Sequence, residues 1–234
     1  MNPMQPELRP AGDSALLLSF GEVIDEGIND RVHAIARAIE KASPGWLVEV
    51  VPAYSSLLVV YDPIKTSYTQ VEDAVKSFLD AGIKSFEGRL VEVPVVYGGE
   101  YGPDIEFVAE HNGLTVDDII EIHSRPVYRV HFLGFLPGFP YLGGMDERIA
   151  TPRLERPRLK VPAGSVGIAG KQTGIYPLES PGGWRLIGRT PLRLFDPSKE
   201  PPTLLQPGDR VRFVPIDEEE FRELYEREWG EKND

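Results

Sequence analysis

Eight cationic side chains lie between residues 131 and 190, Arg148, Arg153, Arg156, Arg158, Lys160, Lys171, Arg185 and Arg189, against four acids, Asp146, Glu147, Glu155 and Glu179. Several sit on stiff supports. In "RIATPRLERPRLKVPAG" prolines lock an extended backbone beneath Arg153 and Arg158. A guanidinium offers paired donors in one plane, which suits a carboxylate or a phosphate. In "GSVGIAGKQTG", residues 164–174, Lys171 stands among glycines whose backbone N–H groups could form an anion-binding nest; tight turns that merely need glycine fit as well. A P-loop is excluded, because Ser165 stands where its first glycine is due, Gln172 where its hydroxyl is due, and Pro177 and Pro181 forbid the helix that must follow. "SPGGWRLIGR" brings Trp184 behind two glycines with Arg189 five residues on, and an indole serves either as a pocket wall or as core.

Other chemistry finds less support. Ser165 lies in G-S-x-G, not in the G-x-S-x-G elbow of a hydrolase nucleophile. His131 is the one histidine of the block, and a lone histidine among aromatics is more often a hydrogen-bonded core residue than a catalyst. His33, His111 and His123 show no H-x-H or H-x-x-x-H spacing, so no metal site is expected. Cysteine is absent, which removes disulfides, thiolate metal sites and a thiol nucleophile. The net charge of -12 argues against general nucleic-acid binding. The start "MNPMQPELRP" does not read as a signal peptide, no apolar run reaches membrane-spanning length, and a cytoplasmic protein is expected.

The elements that must position these residues fall into two kinds. "SALLLSF" reads as a strand. "DEGINDRVHAIARAIEKA" reads as a helix, because Ile28, Val32, Ile35, Ala36 and Ile39 share one face. "LVEVV" and "SLLVVYD" form a hairpin, "YTQVEDAVKSFLDAG" a second helix with Gly82 at its C′ position, and "RLVEVPVVY" another strand. The order β-α-β-β-α-β is the ferredoxin-like arrangement and predicts an α+β domain over residues 1–88, although the last strand could equally open the next domain. Two short helices follow in "DIEFVAEHNGLTVDDIIEIHSR", the second capped by Thr115. Asp117, Asp118 and Glu121 would face the phosphates if this pair were a DNA-binding helix-turn-helix, which argues against that role.

Residues 131–190 hold 11 of the 23 glycines and 7 of the 22 prolines, and only short β-type pieces lie between them: "YRVHFLGF", "GSVGIAG", "WRLIGR" and, beyond, "LRLFD" and "RVRFVPI". That pattern predicts an all-β barrel or sandwich over residues 89–216. The stretch "HFLGFLPGFPYLGG", residues 131–144, is apolar yet repeatedly broken. It is expected to be a rigid loop at the barrel mouth, with Phe135, Phe139 and Tyr141 facing a pocket or a partner. Residues 217–234 carry nine acids against three bases but place Phe221, Leu224, Tyr225 and Trp229 at helical spacing, so an acidic C-terminal helix is expected.

"GDSALLLSFG", "GFLPGFPYLGG" and "TPRLERPRLKVPAGSVGIAGKQTGIYPLESPGGWRLIGRTPLRLFDP" together closely resemble the family of the 5-oxoprolinase B subunit, over about residues 11–215. Relatives of that family carry the names allophanate hydrolase subunit 1, sporulation kinase inhibitor KipI and carboxyltransferase domain of urea amidolyase. The resemblance implies a ferredoxin-like domain followed by a cyclophilin-like β-barrel. It implies two partners, a KipA-like C subunit and a LamB/YcsF-like A subunit, with which the chain would open 5-oxoproline to L-glutamate at the expense of ATP. The ATP is expected to be bound by the complex together with Mg, and the chain alone to be inactive. A KipI-like inhibitor of a histidine kinase, or one component of an enzyme acting on allophanate or another urea derivative, are the alternatives it carries. Lactam opening needs an activated carbonyl beside an anionic substrate. On that implication Lys171, Arg189, Arg158 and Gln172 are expected to be catalytic. Arg153, His131, Phe135, Phe139, Tyr141, Ser165, Thr173, Tyr176 and Trp184 are expected to bind substrate.

Overall fold

A computed structural model describes residues 5–79 and 88–230. The chain divides into two compact units, Met1–Phe86 and Glu87–Asp234. In the first, strands β1 (Glu7–Pro10) and β2 (Ala15–Ser19) precede helix α1 (Glu26–Ala42), the hairpin β3 (Leu47–Pro52) and β4 (Ser56–Tyr61), and helix α2 (Tyr68–Ser77). The sheet runs β1-β2-β4-β3, so β4 enters between β2 and β3 and splits the β-α-β unit that joins them. The fourth position belongs to β1, which the sequence reading missed, and not to the strand at residues 90–97, which joins the other unit. Four residues with a proline at the end carry too little periodicity to be seen.

Helix α1 starts where Asp25 accepts the Ile28 N–H at 2.9 Å and ends at Ser43 in the left-handed region, φ 41°. Its face of Val32, Ile35, Ala36 and Ile39 packs with Leu16, Leu18, Leu57 and Val59 from the sheet. Helix α2 stops at Ser77, and the expected C′ glycine, Gly82, lies outside the described residues.

The second unit opens with β5 (Leu90–Tyr97) and helices α3 (Ile105–Asn112) and α4 (Val116–Ser124). There follow β6 (Tyr128–Leu133), β7 (Pro140–Gly143), β8 (Arg158–Val161), β9 (Ser165–Ala169), β10 (Gln172–Ile175), β11 (Ser180–Gly182), β12 (Arg185–Arg189), β13 (Arg210–Pro215) and helix α5 (Glu218–Trp229). Seven strands close a barrel in the order β10-β7-β6-β13-β5-β12-β9, while β8 and β11 pair separately as a small ribbon. Strands β13 and β5 run parallel and the other pairs in the barrel antiparallel. Alternate residues point inward, Val93 and Val95, Tyr128 and Val130, Val166 and Ile168, Val211 and Phe213, and make one core with Ile105, Val108 and Ile119 of the helical pair. Thr115 caps α4 reciprocally with Asp118, accepting its N–H at 3.1 Å while its own N–H donates to the carboxylate at 2.9 Å.

Two expectations change here. The segment 131–144 is not a continuous loop: residues 131–133 end β6, residues 140–143 form β7, and only residues 134–139 connect them. Pro140 is tolerated because it opens its strand, where a missing N–H breaks least. "LRLFD" is not a strand; within it only Phe195 makes an isolated bridge, to Thr203. The acidic helix α5 does form and packs on its own unit. Phe221 meets Tyr101 at 4.7 Å between ring centres, Trp229 Nε1 donates to the Pro191 carbonyl at 2.8 Å, and Arg189 and Arg193 lie over Tyr225 and Trp229. Among the described residues no helix is long and apolar enough to cross a membrane.

Candidate functional site

A cavity of about 320 Å³ opens beside the barrel, lined by Phe135, Phe139, Tyr141, Arg153, Leu154, Pro157, Tyr176, Pro181, Gly182, Gly183 and Trp184. Its centre is Phe139, which is 1 % exposed. Around that ring stand Tyr141 at 5.2 Å, Tyr176 and Trp184 each at 5.4 Å, and Phe135 at 5.7 Å, the last three nearly perpendicular to it. Edge-to-face contacts of this kind are worth about 0.5–1.5 kcal/mol each beyond area burial, so the box is preformed.

The chain brings these rings together from four places. The loop after β6 supplies Phe135 and Phe139, β7 supplies Tyr141, the residue that follows β10 is Tyr176, and the residue before β12 is Trp184. The segment 152–157 places Arg153 in the cavity wall and is held on either side of it: Leu154 N–H donates to the Gly183 carbonyl at 2.7 Å, and Arg185 Nε to the Pro152 carbonyl at 3.3 Å. Gly182 has to be glycine, since a Cβ there would come within 2.8 Å of the Tyr176 ring carbons.

Phe135 adopts φ 65°, the left-handed region that a residue with a Cβ enters at a cost of about 1–2 kcal/mol, yet it remains 65 % exposed. The backbone is strained to hold an aromatic ring at a cavity mouth, which points to use of the ring. Phe135→Gly should relieve the strain and be more stable than Phe135→Ala by up to about 1 kcal/mol in urea denaturation, the flexibility of glycine offsetting part of the gain. Phe135→Ala more stable than Phe135→Gly by about 0.5–1 kcal/mol, the flexibility cost of glycine alone, would mean that the φ carries no cost.

Burial pushes the Tyr176 phenol above its ordinary pKa, opposed by a hydrogen bond from the Trp184 backbone and by the charges of Arg153 and Arg158. Tyr141 is raised by burial too, again against the field of Arg153. Both phenols are neutral donors at physiological pH.

Of the residues expected to act, Arg153, Phe135, Phe139, Tyr141, Tyr176 and Trp184 meet at this cavity. The others do not. Lys171 sits in the turn between β9 and β10, where Gly170 takes φ 58°, and its ammonium pairs with Glu147 at 2.8 Å on an open surface. Arg158 is tied to Asp104 at 2.9 Å. Arg189 donates to the Ala163 carbonyl at 2.8 Å and lies over Tyr225 of helix α5. Gln172 begins β10 and is half-buried, and Ser165 is buried in β9 with its carbonyl accepting the Tyr176 N–H at 2.9 Å. His131, 2 % exposed on β6, lies against Gly143, where any Cβ would collide with the imidazole.

Thr173 is fully buried within a polar chain inside the barrel. Its hydroxyl donates to the Gly167 carbonyl at 3.2 Å and therefore accepts from His123 Nε2 at 2.8 Å, which leaves His123 Nδ1 to accept from the Tyr97 hydroxyl at 2.8 Å. Burial lowers the His123 pKa from 6.5 to about 3, so the imidazole is neutral. The sequence reading passed over His123 as one helical histidine among several. It likewise missed Leu154, Pro157 and residues 181–183 at the end of β11 as cavity walls, although the glycine pair before Trp184 signals close backbone approach.

The carboxyltransferase domain, subdomain C and D, matches the chain over residues 6–205. The chain is 48% identical over 227 residues to the 5-oxoprolinase B subunit of Bacillus subtilis, covering 92% of this chain and 95% of that one. It is 44% identical over 205 residues to the 5-oxoprolinase B subunit of Escherichia coli O157:H7, covering 87% and 93%. Among solved structures it is similar to the conserved uncharacterized protein PH0987 of Pyrococcus horikoshii, at 70% identity with a TM-score of 0.56, covering 92% of this chain and 100% of that one.

Proposed function

The chain belongs to the family of the carboxyltransferase domain, subdomains C and D, and from that premise we propose that it is the B subunit of a 5-oxoprolinase, a hydrolase assembled from several different chains. The observation that carries the reading is 48% identity to the Bacillus subtilis 5-oxoprolinase B subunit over nearly the whole length of both proteins. On this reading the first unit acts as a ferredoxin-like domain and the barrel unit as a cyclophilin-like one. The partners are a C subunit, which would share the substrate site, and an A subunit, in the cytoplasm.

The reaction in this proposal is the ATP-dependent opening of the 5-oxoproline lactam. Water adds across the ring C–N bond to give L-glutamate, and ATP is cleaved to ADP and phosphate. Amide resonance makes the lactam carbonyl a poor electrophile, and phosphorylation of its oxygen turns that oxygen into a leaving group. The cavity does not fit a nucleoside triphosphate with its magnesium. Among the described residues Arg153 is the one cation in its wall, no carboxylate lines it, and no group of three His, Asp or Glu side chains could hold a metal. No phosphoryl-transfer step is therefore assigned to this chain; its residues bind and orient the ring and keep water from it.

Glutamate release from 5-oxoproline and ATP, measured with the purified A and C subunits with and without this chain, tests the assignment. Release only when all three are present is the expected result. A stable complex with the C subunit that never consumes 5-oxoproline would refute the substrate, and the failure of any complex to form would refute membership of the assembly.

A further inference from the structure

We infer that the aromatic cavity recognises a small flat ring bearing a carboxylate, and that Arg153 reads the carboxylate. The inference rests on the reading of this chain as part of a 5-oxoprolinase and names the group in it that would hold the substrate.

Charge makes the first selection. Of the cations in residues 131–190, Arg148 is paired with Asp146, Arg158 and Arg185 with Asp104, Lys160 with Glu179 and Lys171 with Glu147, while Arg189 is bound to the Ala163 carbonyl. Arg156 does not line the cavity. Arg153 does, and it makes no ion pair or hydrogen bond among the described residues. Its guanidinium lies 5.9 Å from the centre of the Trp184 ring, within cation–π range, so the indole holds the fork at the rim with its donors uncommitted. Among the described residues no carboxylate in the cavity wall competes for it.

Size and surface make the second. About 320 Å³ is at the small end of ligand cavities, enough for a five- or six-membered ring with one substituent. The perpendicular faces of Phe139, Tyr176 and Trp184 suit a flat ring, and the Tyr176 phenol adds a polar tip inside the box. A carboxylate fits the planar paired donors of arginine, whereas a lysine at the same place would offer a point charge without the fork. The field of Arg153 reaches into the box, since it opposes the upward shift of both Tyr141 and Tyr176.

Three probes separate the parts of the ligand: 5-oxoproline, 2-pyrrolidinone, which keeps the lactam and lacks the carboxylate, and cyclopentanecarboxylate, which keeps the carboxylate and lacks the lactam. Each is titrated against the full chain by NMR, following the Trp184 indole signal assigned with Trp184→Phe. The two carboxylates are expected to bind more tightly than 2-pyrrolidinone by about ten- to a hundredfold, the worth of a charge-assisted hydrogen bond. Arg153→Met should bring all three to the same weak level, and Arg153→Lys should recover part of the difference. Arg153 is exposed, so neither change threatens the fold. In the assembled complex Arg153→Met should raise the KM for 5-oxoproline by the same factor.

Equal binding of 2-pyrrolidinone, carboxylate binding indifferent to Arg153→Met, or no shift at Trp184 would each overturn the inference. Turnover of 5-oxoproline with a KM that Arg153→Met does not move would overturn it while leaving the 5-oxoprolinase assignment standing. Carboxylate-selective binding without turnover in the reconstituted complex would do the reverse.

Discussion

Asp104→Ala is expected to destabilise the barrel unit by about 3–5 kcal/mol, the usual cost of breaking a buried charge pair from one side. The carboxylate is 9 % exposed, and one oxygen accepts the Leu186 N–H at 2.7 Å while the other meets Arg158 at 2.9 Å and Arg185 at 3.9 Å. The Asp104 backbone N–H donates in turn to the Leu186 carbonyl at 2.9 Å, so this one residue fastens the start of helix α3 to strand β12. Alanine strands a buried amide, at about 1–3 kcal/mol, and leaves two partly buried guanidinium groups without their counter-charge. Asp104→Asn keeps an acceptor but not the charge and should lose less. Urea denaturation followed through the NMR indole signal of Trp184 measures both. A loss under about 1 kcal/mol for alanine would mean that the two arginines are held by other contacts, and Arg158 would regain its claim to a role in the chemistry.

The second large effect is acid sensitivity set by His123. The imidazole is buried among Tyr97, Tyr128, Phe213 and Thr173, with no carboxylate of the described residues against it, and Tyr97 and Tyr128 are themselves pushed up by burial and so stay neutral. An unfolded histidine takes a proton near pH 6.5 and the folded one only near 3. Between those values the unfolded state binds more protons. The stability contributed by the neutral ring is therefore complete above about pH 6.5 and is lost as the pH falls, by up to about 1.4 kcal/mol per pH unit. His123→Gln should be less stable than the native chain near pH 7.5 by about 1–3 kcal/mol, because the amide cannot reproduce both hydrogen bonds of the ring. It escapes the proton penalty, however, so the gap should narrow below pH 6.5 and close near about pH 5. Denaturation midpoints for both proteins across that range decide the matter. Parallel curves would show that His123 titrates in the folded protein at its ordinary pKa.

How well each element could be read follows from how local its signal is. The face of Val32, Ile35, Ala36 and Ile39 in α1, the Thr115 cap of α4 and the aromatic spacing of α5 are contained within a dozen residues, and they appear in the structure as read. The glycine and proline density after residue 130 identified a β region with short strands for the same reason. Strands β1, β8 and β11, at three or four residues each, are shorter than any period needs to show itself, and β7 was hidden in the run of breakers around it. "LRLFD" shows the opposite error, an alternation that meets only the short segment 202–204 and pairs with it through an isolated bridge.

The candidate site divides along the same line. Residue type alone marked Arg153, Trp184 and the aromatic run as material for a pocket. Whether a cation is available is not a property of its type. Lys171, Arg158 and Arg189 looked equivalent to Arg153 until the fold set Glu147, Asp104 and the Ala163 carbonyl beside them, from 24, 54 and 26 residues away in the chain. His123 became the buried centre of a polar chain because closing the barrel carried Thr173 to it across 50 residues. By itself the sequence determined the α+β composition, most of the elements and the list of groups able to bind an anion, because these depend on near neighbours. Only the tertiary structure decided which strand completes which sheet, which charges are neutralised and which rings share a cavity, because burial and pairing are set by residues that meet solely when the chain closes on itself.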